Sequence, residues 1–256
     1  MPDMLSKNRI KWLRSLQMKK HRTAEGVFVA EGPKLVGELL AGGFECVYQV
    51  QSTKYVAERP QGATQPFPVE LATEDELRQV STVETPQGVL AVFRQPCYAV
   101  DFVKAAKANL CLALDEVQNP GNLGTIVRLA DWFGIGDVFC SQGCADVFNP
   151  KTVQATMGAL AHVRVHYFDL AGVLERARKE GVTVYGTFLD GENIYEKRLA
   201  NAGVIVMGNE GRGISAAVAQ GVTERLTIPS WTDSHVESLN VAIATAVVCA
   251  EFRRQA

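Results

Sequence analysis

The sequence predicts an α/β protein with two parts: a C-terminal domain built on a parallel sheet, and a smaller N-terminal α/β domain. Two observations support this prediction. From Asn109 onward, short apolar segments alternate with stretches of helical periodicity, as they do in βα units. With 256 residues, of which 47% are hydrophobic and 21% charged, the chain can bury the core of one large domain or of two small ones.

The first 22 residues predict a basic amphipathic helix. Ile10, Leu13 and Leu16 recur at helical spacing, and Asp3 is the one acid in the segment. The basic side chains are Lys7, Arg9, Lys11, Arg14, Lys19, Lys20 and Arg22. Such a face is either a solvated cover over the domain or a surface that contacts phosphates, and composition leaves both interpretations open.

Residues 1–95 predict the smaller α/β domain. A helix, PKLVGELLAGG, ends at two glycines, and Thr73 with Glu76 has the spacing of a capping box that opens a second helix. The predicted strands are VFVAEG, ECVYQV, PFPVEL and QGVLAVFR. We assign residues 96–108 to a linker, with a bridging helix as the alternative.

Residues 109–256 predict the parallel-sheet domain. The candidate strands are NLCLALDE, DVFCS, VRVHYF, TVYGTFL, GVIVMGNE and ERLTIP. Helical patterns lie between them, near residues 122–134, 150–160, 169–180 and 214–219, and a last helix is expected near 238–254. Ligands bind at the carboxyl ends of the strands in such sheets, so the loops that follow strands are the places to look for a site.

The loop after the first of these strands, NPGNLG, predicts a turn and a helix start. Asn122 is a suitable N-cap, and Arg128 lies off the apolar stripe of the following helix. Arg128 is three residues before Asp131, and from the pattern alone a surface ion pair between them is favoured over a catalytic arginine.

Two further loops are candidates for ligand binding. GNEGRGIS follows a strand, and its glycines would let a ligand approach the backbone. Glu210 in that loop suits an amine or a sulfonium better than a bare phosphate, and a tight turn with a solvated glutamate is the alternative. Before the last helix, Ser238 is a candidate cap, and Asn240 in the first turn is a poor helix former whose amide could contact a ligand.

Composition argues against several other classes of protein. The cysteines do not form CxxC pairs and the four histidines lack ligand spacing, so we expect reduced thiols and no structural metal. No apolar run reaches the ~18 residues of a membrane helix, and the N-terminus lacks the apolar segment of a secretory signal. We therefore expect a cytoplasmic protein without a membrane partner.

Taken in order, the three loops resemble the three motifs of the SpoU-type (TrmH family) RNA ribose 2′-O-methyltransferases, of the SPOUT class. The quoted motifs are NPGNLGTIVRLADWFG, VMGNEGRGIS and LTIPSW…VESLNVAIA, and VFNPKTVQATMGAL and GTFLDGENIYE also look like that family. The N-terminal region looks like the family's RNA-substrate-binding domain. The resemblance implies a deep trefoil knot, which is a rare exception among folds. It also implies S-adenosylmethionine as cofactor and a homodimer that packs through the final helix.

The resemblance also implies roles for individual residues. The matching catalytic positions are Asn122, Arg128, Glu210, Ser238 and Asn240. The positions that match cofactor contacts are Thr187, Gly208, Asn209, Gly211, Ile228, Pro229 and Leu239. The segment between Pro229 and Ser238 is longer than in many members, so the stretch from Trp231 to Val236 receives no assignment.

The implied reaction is methyl transfer to a ribose 2′-hydroxyl of RNA, with ribosomal RNA favoured over transfer RNA by analogy. Arg128 is then either a general base or a clamp on the adjacent phosphate. The base role is physically awkward, because guanidinium stays protonated at ordinary pH. A non-catalytic RNA-binding module is the alternative. A dinucleotide-dependent oxidoreductase is less favoured, because the GxGxxG fingerprint after the first strand is missing.

Overall fold

The computed structural model describes residues 5–58, 66–231 and 238–256. The described helices, in chain order, are α1 (Lys7–Ser15), α2 (Lys19–Glu25), α3 (Pro33–Ala41), α4 (Thr53–Ala57), α5 (Glu74–Val80), α6 (Phe102–Ala108), α7 (Pro120–Trp132), α8 (Pro150–Thr156), α9 (Leu170–Lys179), α10 (Ala216–Ala219) and α11 (Val241–Arg254). The described strands are β1 (Val27–Glu31), β2 (Cys46–Ser52), β3 (Val69–Ala72), β4 (Val89–Arg94), β5 (Leu110–Leu114), β6 (Asp137–Ser141), β7 (Arg164–Phe168), β8 (Val184–Asn193), β9 (Gly203–Met207) and β10 (Glu224–Thr227). A 3-10 turn covers Ala159–Ala161.

The chain divides into two compact units. The first comprises the residues up to Cys97 together with Asp146–Ala161. Its four strands have the order β1-β4-β2-β3, with β2 and β3 parallel and the pairings of β4 antiparallel. Helix α8, which comes much later in the chain, packs on β1. The capping box that opens α5 is present as predicted, with Thr73 and Glu76 bonded to each other's backbone.

The basic N-terminal segment forms two helices rather than one. Ser6 caps α1 by accepting from the backbone N–H of Arg9, and α2 begins only after the chain turns at residues 16–18. Leu13 and Leu16 are buried, as their helical spacing predicts. The segment therefore keeps its apolar face although its course is broken.

Arg22 is buried, which corrects its assignment to a surface that contacts RNA. Its side chain is 1% exposed, and its guanidinium donates to the carbonyls of Leu16 and Gln17. It also forms an ion pair with Asp146 of the same unit. A buried cation needs such partners because its desolvation is otherwise unfavourable.

The second unit comprises Tyr98–Ala145 and His162–Ala256. Its six strands have the order β10-β8-β9-β5-β6-β7, and every pairing of neighbours is parallel, as predicted. Strands β5 and β9 lie in the middle and are buried over their whole length. The stretch assigned to a linker contains α6, which packs on α9, β5 and β9 and so belongs to this unit.

The amino edge of this sheet is fixed by a buried carboxylate. Asp137, the first residue of β6, accepts two hydrogen bonds from Arg164, at 2.9 and 2.6 Å, and lies 2.8 Å from Nε2 of His166. Burial raises the pKa of Asp137, but the hydrogen bonds from His166 and Arg164 outweigh burial and lower it overall. This cluster is structural, because ligands bind such sheets at the opposite, carboxyl edge.

No described helix combines the length and the apolarity needed to cross a lipid bilayer.

Candidate active site

Three polar side chains from three distant loops meet at the carboxyl edge of the six-stranded sheet. The side-chain amide of Asn122 donates to Oε1 of Glu210 at 2.7 Å. The amide of Asn240 donates to Oδ1 of Asn122 at 3.1 Å. These residues follow β5, β9 and β10 in the chain, and parallel strands bring such loops to one edge. The structure thus joins three of the residues predicted from the motifs.

The helix caps differ from the prediction in a way that frees these side chains. Asn119, not Asn122, caps α7 by accepting from the backbone N–H of Gly121 at 2.8 Å and of Asn122 at 3.1 Å. Pro120 then occupies the first helical position, which it favours. Because Asn119 serves the helix terminus, the amide of Asn122 remains available to bridge the other two loops.

The second cap is also displaced from its predicted position. Asn240, not Ser238, caps α11, and its Oδ1 accepts from the backbone N–H of Ala242 at 2.9 Å and of Ile243 at 3.4 Å. A cap uses the side-chain oxygen, so the Nδ2 group of Asn240 still donates to Asn122. Ser238 lies exposed two residues before the cap.

The glycine-rich loop is a closed turn with Glu210 at its tip. Asn209 and Gly213 exchange backbone hydrogen bonds, each of 2.9 Å. Oδ1 of Asn209 accepts from the backbone N–H of Gly211 and of Arg212, each at 3.0 Å. The polar groups of Asn209, which we expected among the cofactor contacts, are therefore engaged in shaping the turn. Gly208 is required by close packing, since a Cβ there would lie under 3.0 Å from the backbone of Gly213.

Two acidic residues of this edge were not singled out from the sequence. Asp115 directly follows β5, is buried, and accepts from the backbone N–H of Ser215 at 2.8 Å. The next residue, Glu116, forms an ion pair with Arg212 of the glycine-rich turn at 2.6 Å. Both could have been predicted from the sequence, because acids that directly follow a buried strand of a parallel sheet lie at its ligand-binding edge.

Arg128 lies outside this hydrogen-bonded group. It is six residues beyond Asn122 on α7, which places it about 9 Å further along the helix axis and roughly a third of a turn around it. It is exposed, and it makes no hydrogen bond or ion pair with the described residues. The ion pair with Asp131 that the pattern favoured is not formed, since Asp131 lies 3.3 Å from Nδ1 of His162 instead.

The remaining predicted cofactor contacts lie along the same edge or next to it. Thr187 follows the part of β8 that pairs with β9, and its hydroxyl donates to the carbonyl of Val206 at 3.2 Å. Ile228 and Pro229 follow β10 and are half-buried, and Leu239 is exposed beside Asn240. Of the unassigned stretch from Trp231 to Val236, residues 232–236 lie outside the described part of the chain.

Two thiols, those of Cys140 and Cys144, are hydrogen-bonded to each other near the end of β5. Sγ of Cys144 lies 3.1 Å from the carbonyl of Leu114, and the hydrogen bond between Cys140 and Cys144 lowers the pKa of the Cys144 thiol. The same bond, together with burial, raises the pKa of Cys140.

Among the described residues, no group of three or more His, Cys, Asp or Glu side chains could hold a metal ion.

Comparison with known protein families gives two matches along the chain. Residues 109–250 match the family model of the SpoU rRNA Methylase family, and residues 7–91 match that of the MRM3-like substrate binding domain. The first match covers the strands and loops that form the site described above.

Individual relatives agree with the family models over nearly the whole chain. The chain is 34% identical over 248 residues to the 23S rRNA (guanosine(2553)-2′-O)-methyltransferase RlmP of Bacillus subtilis, covering 96% of each sequence. A TrmH-family structure from Porphyromonas gingivalis superposes with a TM-score of 0.88 and 46% identity, over 99% of this chain and all of that one. An AdoMet-bound rRNA methyltransferase from Sinorhizobium meliloti superposes with a TM-score of 0.84 and 29% identity, over 98% and 95% of the two chains. By family model, by sequence identity and by fold, the chain belongs to the SpoU rRNA methylase family.

Proposed function

We propose that this protein transfers a methyl group from S-adenosylmethionine to a ribose 2′-hydroxyl of ribosomal RNA. The observation that carries the proposal is the hydrogen-bonded series from Glu210 through Asn122 to Asn240, which joins the three family motifs at the ligand-binding edge of the sheet. The relatives from Bacillus subtilis and Sinorhizobium meliloti act on ribosomal RNA by their names, which supports that substrate.

The residues at this edge fit the cofactor. A Cβ placed on Gly213 would meet no described atom within 4 Å, so this side of the turn is open to a ligand that contacts the backbone. Beside it, the carboxylate of Glu210 is half-buried and suits a ligand that carries positive charge. S-adenosylmethionine supplies an activated methyl group on a sulfonium together with an amino group, which matches this surrounding. The residues proposed to hold it are Thr187, Gly208, Gly211, Ile228, Pro229 and Leu239, with Asn209 shaping the turn.

The chain's contribution to the reaction is to align the ribose hydroxyl with the methyl donor and with the group that takes its proton. A ribose hydroxyl is a weak acid, so its oxygen must be oriented and its proton accepted as the new bond forms. Asn122 fixes the carboxylate of Glu210 from one side, and Asn240 fixes Asn122 in turn. Ser238, exposed beside this group, is proposed to contact the ribose.

Arg128 acts as a phosphate clamp in this mechanism. Guanidinium groups stay protonated in proteins, and their planar fork binds two phosphate oxygens at once. Arg128 is exposed, and no carboxylate of the described residues competes for it. It would hold the phosphate next to the target ribose, and the ribose proton would leave to that phosphate or to water.

The lysines of the N-terminal helices are proposed to grip the RNA backbone. Lys7, Lys11, Lys19 and Lys20 are exposed and form no ion pair with a described acid. Arg9 and Arg14 are less available, because Arg9 pairs with Glu70 and Arg14 donates to the carbonyl of Gln79. Arg22 is left out because it is buried. Replacing the four lysines with glutamine should lower the salt dependence of RNA binding by about 3 units of log K per log [salt].

A control variant distinguishes the effect of losing these four lysines from the effect of lowering the net charge. Glutamine at Lys54, Lys104, Lys107 and Lys179 removes the same number of exposed charges elsewhere. Both variants are titrated with RNA at several salt concentrations. Equal salt slopes for the two variants would exclude the N-terminal lysines as the RNA-binding surface.

We further propose a homodimer, a knotted C-terminal segment and a cytoplasmic location. Ile243 of α11 and Trp132 of α7 are large apolar side chains left 55% and 84% exposed, on two helices that pack together. A second copy of the chain would cover them. Sedimentation of the parent and of Ile243→Glu tests this, because a charge in the interface should produce a monomer.

A methyl-transfer assay tests the central proposal. Purified protein, labelled S-adenosylmethionine and total RNA should yield a labelled 2′-O-methylnucleoside after digestion, and Asn240→Ala should abolish it. Asn201→Ala removes an exposed asparagine of the same unit and should leave transfer unchanged. Binding of RNA and cofactor without transfer would indicate a non-catalytic module, and calorimetric binding of NADH in place of S-adenosylmethionine would indicate an oxidoreductase. Mapping ribose methylation in cells with and without the gene then identifies the target nucleotide.

A further inference from the structure

Glu116 has an unusual backbone conformation at the site. It follows Asp115 at the end of β5, and its φ of 55° places it in the left-handed region although it is not glycine. Such a conformation is unfavourable for a residue with a side chain, and it persists only where the surroundings fix it. The backbone N–H of Glu116 donates to the hydroxyl of Ser141 at 2.9 Å, which anchors the residue to the end of β6.

Glu116 holds the glycine-rich turn at two points. Its backbone carbonyl accepts from Nδ2 of Asn209 at 2.8 Å. Its carboxylate forms an ion pair with Arg212 at 2.6 Å, with side chains 37% and 66% exposed. Asn209 and Arg212 lie on either side of Glu210 in the chain. Glu210, at the tip of the turn, thus lies between two residues that both contact Glu116.

The space around Glu116 is shaped for its side chain. A Cβ at Gly143 would lie 3.0 Å from Cγ of Glu116, tighter than ordinary contacts allow. Gly143 therefore leaves room for the aliphatic part of Glu116 on its way to Arg212. Glu116, in the loop after β5, thus contacts both the end of β6 and the loop after β9.

We propose that Glu116 is a positioning residue: its carbonyl and its ion pair with Arg212 hold the turn 208–213 so that Glu210 meets Asn122 and the cofactor. The inference rests on the proposed function of the site. An exposed ion pair contributes little to global stability. Its effect should instead be local, because without it the turn keeps its internal hydrogen bonds but loses one of its two contacts with Glu116.

The test compares Glu116→Gln with a matched substitution far from the site. Glutamine keeps the size of the side chain and removes only its charge. Glu175→Gln removes the charge from the pair between Glu175 and Lys179 on α9, which has the same 2.6 Å separation and an equally exposed cation, although its carboxylate is more exposed. Two quantities are measured: hydrogen exchange of the amides at residues 209–213 without cofactor, and the dissociation constant for S-adenosylmethionine by calorimetry.

For Glu116→Gln we expect the turn amides to exchange faster and cofactor affinity to fall up to about fivefold, the upper range for an exposed pair. Arg212→Gln should have the same two effects. The double variant should bind the cofactor no more weakly than either single variant, because all three variants lose the same ion pair. KM for the cofactor should rise more than kcat falls, and the melting temperature should match that of Glu175→Gln.

Exchange and affinity equal to those of Glu175→Gln would overturn the proposal. A failure of the proposed function would be recognised by different measurements, made on the parent protein. If the parent protein binds no S-adenosylmethionine and transfers no methyl group, the function is wrong. The exchange comparison at residues 209–213 would still decide whether Glu116 orders the turn.

Discussion

Replacing Asn122 with aspartate tests the group of side chains at the centre of the site. The change substitutes an oxygen for the amide nitrogen and preserves the shape of the side chain. It places a second carboxylate opposite Glu210, where Nδ2 now donates at 2.7 Å. The bond from Asn240 to Oδ1 of residue 122, at 3.1 Å, can persist. The substitution therefore disrupts one contact selectively.

The size of the effect follows from that contact. A hydrogen bond to a charged group contributes about 1.5–3 kcal/mol, and repulsion between the two carboxylates adds about 1 kcal/mol. Because this arrangement is proposed to act in the transition state, the rate of methyl transfer should fall by about 70- to 900-fold. The helix itself should not be destabilised, because an acid in its first turn interacts favourably with the helix dipole.

The assay compares Asn122→Asp with Asn119→Asp. Asn119 caps the same helix, and aspartate caps as well as asparagine does, so this control adds the same charge without facing Glu210. Melting temperatures should agree between the two variants, while kcat/KM should differ. Part of the loss should be recovered at lower pH, relative to the parent, because protonation of one carboxyl restores a hydrogen bond. Rates for the two variants within about twofold of each other would refute the reasoning.

Three further predictions concern single residues. Arg128→Lys should lower kcat at least about tenfold with an unchanged melting temperature, because lysine keeps the charge and loses the fork; transfer at the parental rate would contradict both the clamp and the base roles. Gly208→Ala should lower the free energy of unfolding in urea by about 1–3 kcal/mol, because its Cβ would clash with the backbone of Gly213, whereas Gly211→Ala has room and serves as the control. Asp137 has a lowered pKa, so its ionised form stabilises the fold above the unfolded value of about 3.9, and that stability is lost as the pH falls through the folded value; urea unfolding should show that Asp137→Asn lowers the free energy of unfolding strongly at pH 7 and progressively less as the pH falls through the folded pKa of Asp137.

Local sequence determined the elements and their order. The apolar segments of the C-terminal half correspond to β5 through β10, and the alternation of strands with helices predicts the parallel pairing that is observed. These features could be predicted because burial on both faces requires continuous apolar runs. Helix α4 was missed, because five residues are too short for a periodic pattern.

Contacts between residues far apart in the chain could not be predicted from local sequence patterns. The ion pair predicted between Arg128 and Asp131 rested on sequence spacing, yet Asp131 lies instead beside His162, 31 residues away. Likewise, Asn122 looked like a cap because of its residue type, while Asn119 takes that role and Asn122 reaches a residue 88 positions away. Spacing predicts which neighbours are possible, but not which of several polar partners a side chain meets.

The sequence by itself determined the α/β class, the three loops and the residue types that a methyl-transfer site needs, because these depend on periodicity, turn chemistry and motif. Only the tertiary structure decided which residues act together: Glu210 with Asn122 and Asn240 at the sheet edge, and Arg22 inside the first unit rather than on its surface. The physical reason is that hydrogen bonding and desolvation depend on distances in space, and packing sets those distances between residues that the chain keeps far apart.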